Sequence, residues 1–453
     1  MHEGFMKVPP VLIFFDATPL ALWEQADIHK VGIGRMATQT LRALLLRDDV
    51  QVKLVCPCGM EEYVQRFQAK NAWARKADVI AIAQPPKRVH FLHLKEWAKK
   101  LGRKLLAPLP SKLQGEIKRL VRVCPFASFA RPDKRLREIV SSRLPAQGLA
   151  VWFSCFHPIP ESIAHIPGLQ THVVLHDIIP LRLSSKHPFQ APCLDLMNQH
   201  LQKADVIWAN SQFTRSDFLE YFPAEHKNNV YVALHGGGDH FRPSCPEQTF
   251  ASLAMYGVPE QAPYFVCLAT LEPRKGLSIV IKAFKRLAEK RTDIHLILIG
   301  QNGWNCGKIL REGAESGRIH LTGFASDQTV AALLTGCHGF LYMSEYEGFG
   351  LPILEAMSCG APVIAAASTS LPEVAGNAAL FVPPGDVDAL SLSMLRLLDD
   401  SDLRTDLSHR GLIWAPKFTW KRFVETILRS IMTGKEKNFP AHKCTQISTA
   451  NNN

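Results

Sequence analysis

Two carboxylates, Glu347 and Glu355, flank a glycine-broken stretch in "EGFGLPILEAMSCG" (347–360), with seven residues between them. Pro352 suits the first turn of a helix that begins near Leu351, and Gly360 suits its left-handed C-terminal cap. Gly348 and Gly350 let the backbone approach a ligand closely and leave the amides of the helix N-terminus pointing outward. Such an end attracts an anion, phosphate above all. A carboxylate cannot favour a phosphate, so the two acids are better placed beside it, as acceptors for the hydroxyls of a sugar. The plainer assignment has Glu347 capping the helix and Glu355 solvated on its surface.

Upstream, "LATLEPRKGLSIVIKAF" (268–284) ends a strand and opens a helix at Arg274, Lys275 and Gly276. Two cations beside a helix N-terminus make a second anion seat, unless they are only a solvated basic turn. The seat faces the same cleft if both elements end at the carboxyl edge of one parallel sheet. In "HKVGIGRMATQTLRALL" (29–45), Gly32 and Gly34 precede an amphipathic helix, which is a weak signal alone. Arg35 there either meets a phosphate or solvates the first turn. "VVLHDIIPLR" (173–182) sets His176 and Asp177 at the end of a buried strand, where an α/β domain presents ligand contacts, although a lone histidine is more often structural. No Asp-x-Asp stretch and no His/Cys cluster suggests a metal, and a clamp of protein cations would stand in for one. Neither a metal nor a cofactor is expected.

The elements that must position these residues are short β-rich runs alternating with amphipathic ones. Expected strands are "VLIFF" (11–15), "VKLVC" (52–56), "THVVL" (171–175), "DVIWAN" (205–210) and "VYVAL" (230–234), then "YFVCLA" (264–269), "HLILIG" (295–300), "RIHLTG" (318–323), "GFLYM" (339–343) and "APVIAA" (361–366). Most are apolar on both faces, as in a parallel sheet buried between helix layers. A chain of 453 residues, 47% hydrophobic and 21% charged, fits two doubly wound α/β domains. Four prolines between 242 and 265 interrupt any regular pattern and mark the boundary. The expected division is 1–245 for the first domain, with a basic helical insertion at about 85–140, and 246–433 for the second, its last helix returning to the first. Residues 434–453 read as a disordered tail. No apolar run is long enough to cross a membrane. The 11 scattered cysteines read as buried reduced thiols of a cytosolic protein.

The stretch around Glu347 and Glu355 resembles the E-x7-E region of the retaining glycosyltransferases of family 4, also called group 1, whose members have the GT-B fold. The similarity runs from "GCHGFLYMSEYEGFGLP" through "LPEVAGNAALFVPPGD" (371–386). It implies two Rossmann-like domains facing across a cleft, and transfer of a sugar from a nucleotide diphosphate to an acceptor hydroxyl with retention and without metal. By the same resemblance Arg274 and Lys275 clamp the pyrophosphate, Glu347 holds hydroxyls of the donor sugar, and Glu355 holds the ribose. The backbone of Gly348, Phe349, Gly350 and Leu351 completes the donor site. His176 lies near the transferred sugar and Gly34 approaches the diphosphate from the opposite domain. Asp16, at the head of a long loop to Val31, and Asp177 border the acceptor. "ALHGGGDHFRP" (233–243) departs from the family's usual Asn-Gly-Val-Asp form, so Gly236 to Gly238 are given turn geometry only. "LEPRKG" with "HDIIP" most resembles members that use GDP-mannose, with UDP-hexoses and dTDP-rhamnose as alternatives.

The net charge of +11 is concentrated. Between Lys87 and Arg137 stand 15 Lys or Arg against Glu96, Glu116 and Asp133. "LHLKEWAKKLGRKLL" (92–106) and "KLQGEIKRLVRV" (112–123) each carry an apolar helical stripe among the cations, as in helices that lie on an anionic bilayer. Expected partners are a nucleotide-diphosphate sugar, a glycan or polyprenyl-linked acceptor, and the inner face of the cell membrane. Nucleic acid is not expected, because aromatic interleaving is sparse and no binding module is present. The competing classes are a GT-B isomerase or phosphorylase and a non-catalytic scaffold.

Overall fold

The computed structural model describes residues 10–26, 32–56, 60–81, 134–156, 159–183, 201, 203–222, 229–237 and 241–433. Val11–Asp16 (β1), Val50–Cys56 (β2), Asp78–Ala81 (β3), Ala150–Ser154 (β4), Leu169–Leu175 (β5), Val206–Ala209 (β6) and Val230–Val232 (β7) form one sheet, in the order β3-β2-β1-β4-β5-β6-β7. Tyr264–Leu268 (β8), His295–Ile299 (β9), Ile319–Gly323 (β10), Gly339–Tyr342 (β11), Val363–Ala366 (β12) and Ala379–Val382 (β13) form the second, in the order β10-β9-β8-β11-β12-β13. Every pairing in both sheets is parallel. The sequence explains this: β1, β4, β11 and β12 are buried at every position, so each needs helices on both faces and crossover connections rather than hairpins.

Strand order reverses between β1 and β4 in the first sheet and between β8 and β11 in the second. Ligand crevices open at the carboxyl ends of such strand pairs, because the loops leaving them turn to opposite faces. Arg274 and Lys275 follow β8 and Glu347 follows β11. His176 and Asp177 follow β5, next to β4.

Three strands were not among those expected. β3 and β13 are four-residue edges, and β4 is a five-residue apolar run with no alternation to set it apart from a buried helix segment. The proline-rich boundary is not irregular throughout: Pro246–Met255 is a helix with Pro246 at its first position, where the missing N–H has no intrahelical partner to lose. Nor does a long loop follow Asp16, since the helix Thr18–Ala26 begins two residues later; residues 27–31 lie outside the described residues. So do nearly all of the basic segment and the C-terminal tail. Of the former, only the start of the Lys134–Ser141 helix is described, with Leu136 buried. Among the described residues no helix is long and apolar enough to cross a membrane.

The last helix, Trp420–Thr433, adds Trp420, Phe423, Val424, Ile427, Leu428 and Ile431 to the core on one side of the first sheet. The chain therefore passes between the domains twice, once after β7 and once before Trp420. The two passages touch: Gly237 N–H donates to the Phe418 carbonyl at 2.9 Å, and a Cβ at Gly236 would fall on the Trp420 backbone nitrogen. Gly236 thus serves close packing rather than turn geometry, and Gly238 lies outside the described residues. Gly236→Ala is expected to lower stability by ~2 kcal/mol or more, read from urea denaturation of the full chain. Gly317→Ala, where a Cβ meets nothing within 4 Å, is the control and should change stability little.

Candidate active site

β8 and β11 are neighbours, so the loops at their carboxyl ends meet. After β8 the chain makes a single 3-10 turn at Pro273–Lys275, and Gly276 takes φ +68 to launch the Leu277–Ala288 helix. A side chain at 276 would collide with the Met343 carbonyl just past β11. Glycine there lets the cationic turn lie directly on the loop that carries Glu347.

Lys275 Nζ donates to Glu347 Oε1 at 2.5 Å, Tyr342 OH donates to the same oxygen at 3.0 Å, and Arg274 Nη1 lies 3.3 Å from it. Arg274 is itself fixed, donating from Nη1 to the Tyr346 carbonyl and from Nη2 to Glu272 Oε1, both at 2.6 Å. Three consecutive hydroxyls hold the loop from behind. Ser368 Oγ donates to the Ser344 carbonyl at 2.8 Å, and Ser370 Oγ donates to the carbonyls of Glu347 (3.0 Å) and Phe349 (2.9 Å). Between them Thr369 Oγ1 accepts from Glu347 N–H at 3.1 Å, with Thr369 at φ +51, a conformation that a β-branched residue rarely adopts.

Glu347 is 9% exposed. Burial alone would raise its pKa, but Lys275 and then Arg274 override that and hold it at about 2. Burial also pushes up the Tyr342 hydroxyl, and the adjacent Glu347 adds to the shift, so the phenol stays protonated and donates.

The opposite wall comes from the first sheet. His176 Nε2 lies 2.8 Å from the Cys155 carbonyl, and because a carbonyl can only accept, that nitrogen carries the proton. Burial lowers the His176 pKa and raises that of Asp177, whose Oδ1 accepts from Ile179 N–H at 2.9 Å. The walls are in contact: a Cβ at Gly348 would fall on the His176 carbonyl. What Gly348 approaches closely is thus the facing domain's backbone. Its carbonyl accepts from Ser211 Oγ (2.6 Å) and Thr214 Oγ1 (2.9 Å) at the start of the Gln212–Tyr221 helix. Glu373 of the second domain caps that helix from across the interface, accepting from the amides of Gln212 (2.8 Å) and Phe213 (3.1 Å).

The Leu351–Ser358 helix starts and stops where its residues predict, with Gly350 at φ +104 before it and Gly360 at φ +79 after it. The plainer assignment of the two acids does not hold. The helix has no side-chain cap, and Glu355 is buried, not solvated. Glu355 pairs with Arg35 of the facing domain, so Arg35 does not merely solvate the first turn of its helix but meets a carboxylate. Phe349 is buried against His235 and Phe418, leaving its backbone for the site, and Leu351 packs against the cores of both domains.

Two expected residues stand differently. Gly34 lies inside the Ile33–Leu45 helix, not before it, and a Cβ there would sit 2.6 Å from the Trp23 ring, so its missing side chain makes room for an indole. Asp16 is buried and caps the Thr18–Ala26 helix, accepting from Thr18 N–H (3.0 Å) and Thr18 Oγ1 (2.6 Å) and, on Oδ2, from Ser154 Oγ (3.3 Å). No local sequence pattern marks Thr369, Ser370 or Glu373, which complete the site together with Tyr342. A tyrosine at the carboxyl end of a buried strand was the one legible signal among them. Among the described residues no group of three or more His, Cys, Asp or Glu could hold a metal ion.

The family model for glycosyl transferases of group 1 matches residues 251–414, which hold Arg274, Lys275, Glu347 and Glu355. The match lies within the second domain. The chain is 36% identical over 229 residues, half of its length, to O-antigen chain mannosyltransferase B of Escherichia coli, and spans 60% of that relative. It is 30% identical over 263 residues to the serotype-specific mannosyltransferase WbdA of Escherichia coli, covering 55% of the present chain and 32% of WbdA. The whole architecture matches HepE of Anabaena, crystallised with UDP and glucose, at a TM-score of 0.61 and 17% identity, over 93% of this chain and 99% of that one. The fold is GT-B.

The depressed acidity of Glu347 sets a pH test. An acid whose pKa falls from its ordinary 4.5 to about 2 on folding adds stability above the unfolded value and loses it as pH drops toward the folded one. The stability difference between the unsubstituted chain and Glu347→Gln should be flat from pH 5 to 8. It should then shrink by about 3 kcal/mol between pH 4.5 and 2, measured by urea denaturation at each pH.

Proposed function

We propose that the chain is a retaining, metal-independent hexosyltransferase that moves mannose from GDP-mannose to a glycan or lipid-linked acceptor in the building of a surface polysaccharide. The observation that carries this reading is the convergence of Lys275 and Arg274 on Glu347, at the start of the Leu351–Ser358 helix and against the His176 wall. The mannosyltransferase relatives favour mannose over the UDP-hexose and dTDP-rhamnose alternatives.

Breaking the sugar–phosphate bond places charge on the β-phosphate. Lys275, Arg274 and the amides at residues 348–351 meet that charge as it forms, in a cleft where it is poorly screened, and so lower the barrier. Glu347 keeps the two cations aimed. Lys275, Tyr342 and Arg274 all meet Oε1, and Oε2 is assigned to a hydroxyl of the donor sugar. Glu355 receives the ribose. His176, neutral with its proton on Nε2, offers Nδ1 and its ring edge to the transferred sugar and does not act as a cation there. Asp177 lies beside it on the acceptor side. No covalent nucleophile is needed, because the acceptor hydroxyl attacks on the face that the diphosphate leaves. The division into an acceptor-side domain over 1–245 and a donor-side domain over 246–433 follows from this assignment. The basic segment at 87–137 is assigned to an anionic membrane surface that carries the acceptor.

A thermal-shift screen without metal against GDP, UDP, dTDP and their sugars tests this reading. GDP and GDP-mannose should raise the melting temperature, by mass action on the native state. Lys275→Ala should abolish the shift and lower turnover of the donor by about 10²-fold or more. A folded chain that responds to none of these nucleotides would move the assignment to a non-catalytic scaffold.

A further inference from the structure

Arg35 stands in the first turn of the Ile33–Leu45 helix of the first domain and reaches two carboxylates of the second. Nη1 donates to Glu355 Oε1, and Nη2 donates to Asp327 Oδ1 at 2.7 Å. The guanidinium also lies 5.3 Å from the Phe241 ring centroid, in the passage between the domains. In this arrangement the side chains of Arg35 and Glu355 are 13% and 5% exposed, and that of Asp327 is 47% exposed. The carboxylate assigned to the ribose is therefore covered by a cation from across the cleft. A hydroxyl can reach it only after the guanidinium moves.

The backbone beneath Arg35 cannot supply that movement by itself. Gly34 is seated on the Trp23 ring, and Met36, Ala37 and Leu41 anchor the same helix in the core. Two motions remain: rotation of the long arginine side chain, or separation of the domains. Asp327 provides for the first. It is half exposed, lies at the start of the Asp327–Gly336 helix, and already holds the second arm of the fork. Arg35 can thus leave Glu355 while keeping a carboxylate partner.

We propose that Arg35 competes with the donor's ribose for Glu355, with Asp327 holding the guanidinium once the ribose has taken its place. This rests on the assignment of Glu355 to the ribose made above. Donor binding and the Arg35–Glu355 clasp are then mutually exclusive, so the apparent donor affinity carries the work of undoing the clasp.

The test compares binding of guanosine, GDP, uridine and UDP to the full chain and to Arg35→Met by ligand-observed NMR titration. A neutral nucleoside isolates the ribose from the phosphates. Competition expects the nucleoside of the accepted base to bind about fivefold or more tightly to Arg35→Met, because the occupied fraction of Glu355 no longer discounts its affinity. The gain should vanish when Arg35→Met is compared in a Glu355→Gln background. Arg35→Lys, which keeps the charge and loses the two-armed fork, should fall between the two; it serves alone if Arg35→Met does not fold by circular dichroism. Unchanged nucleoside binding with weakened diphosphate binding would assign Arg35 to the phosphates and overturn the proposal, and so would no change in either. Binding of none of the four ligands to any folded form would overturn the nucleotide-sugar reading itself.

Discussion

A carboxylate buried as deeply as Glu347 stays ionised only if cations stand against it, because an unpaired charge out of water is costlier than almost any other defect in a fold. Here both cations come from a loop that is remote in sequence and adjacent in space, since β8 and β11 pair. The rest of the site follows from meeting that condition. Gly276 removes the atom that would keep the cationic turn away from Met343, Tyr342 adds a neutral donor that burial keeps protonated, and the hydroxyls of residues 368–370 fix the loop from behind. A pair buried this way need not stabilise the chain. What it does is hold two cations in one place.

The same loop is shared property of both domains. Gly348 lies on the His176 carbonyl and gives its own carbonyl to Ser211 and Thr214, while Glu373 caps the helix on which those two hydroxyls sit. Tyr346 adds a hydroxyl bond to Asp217, which Arg182 holds in turn at 2.7 Å. The facing walls are therefore joined through backbone groups and short side chains around Gly348, and through the long side chain of Arg35, which reaches Glu355 and Asp327.

Much of this was legible in the residues. Ten of the strands announced themselves as apolar runs, and the Leu351–Ser358 helix was bounded correctly by Pro352 and Gly360. The sequence marks Arg274, Lys275, Glu347 and Glu355 as residues to watch; strand adjacency brings the first three together, while Glu355 meets Arg35. What stayed hidden depends on contacts that no local pattern encodes. Arg35 and Glu355 are 320 residues apart. The seats of Gly34 on Trp23 and Gly236 on Trp420 look, in sequence, like the flexible or turn-forming glycines of any loop. Thr369 is concealed for the opposite reason: its residue type argues against its φ, and only the bond from Glu347 N–H shows what holds it there.

The return of Trp420–Thr433 to the first domain has a mechanical consequence. Domains joined by one strand of chain can swivel about every axis, whereas two crossings placed side by side act like the two leaves of a door hinge. Here the crossings are tied by the bond from Gly237 to Phe418 and by the stacking of Gly236 on Trp420. Two tied crossings restrict motion between the domains more than one would, and they lie beside His235, which packs on Phe349 and Trp420. Lys275, Arg274 and Glu347 all stand on the second domain, so any such motion leaves their register unchanged and shifts them together against the His176 wall.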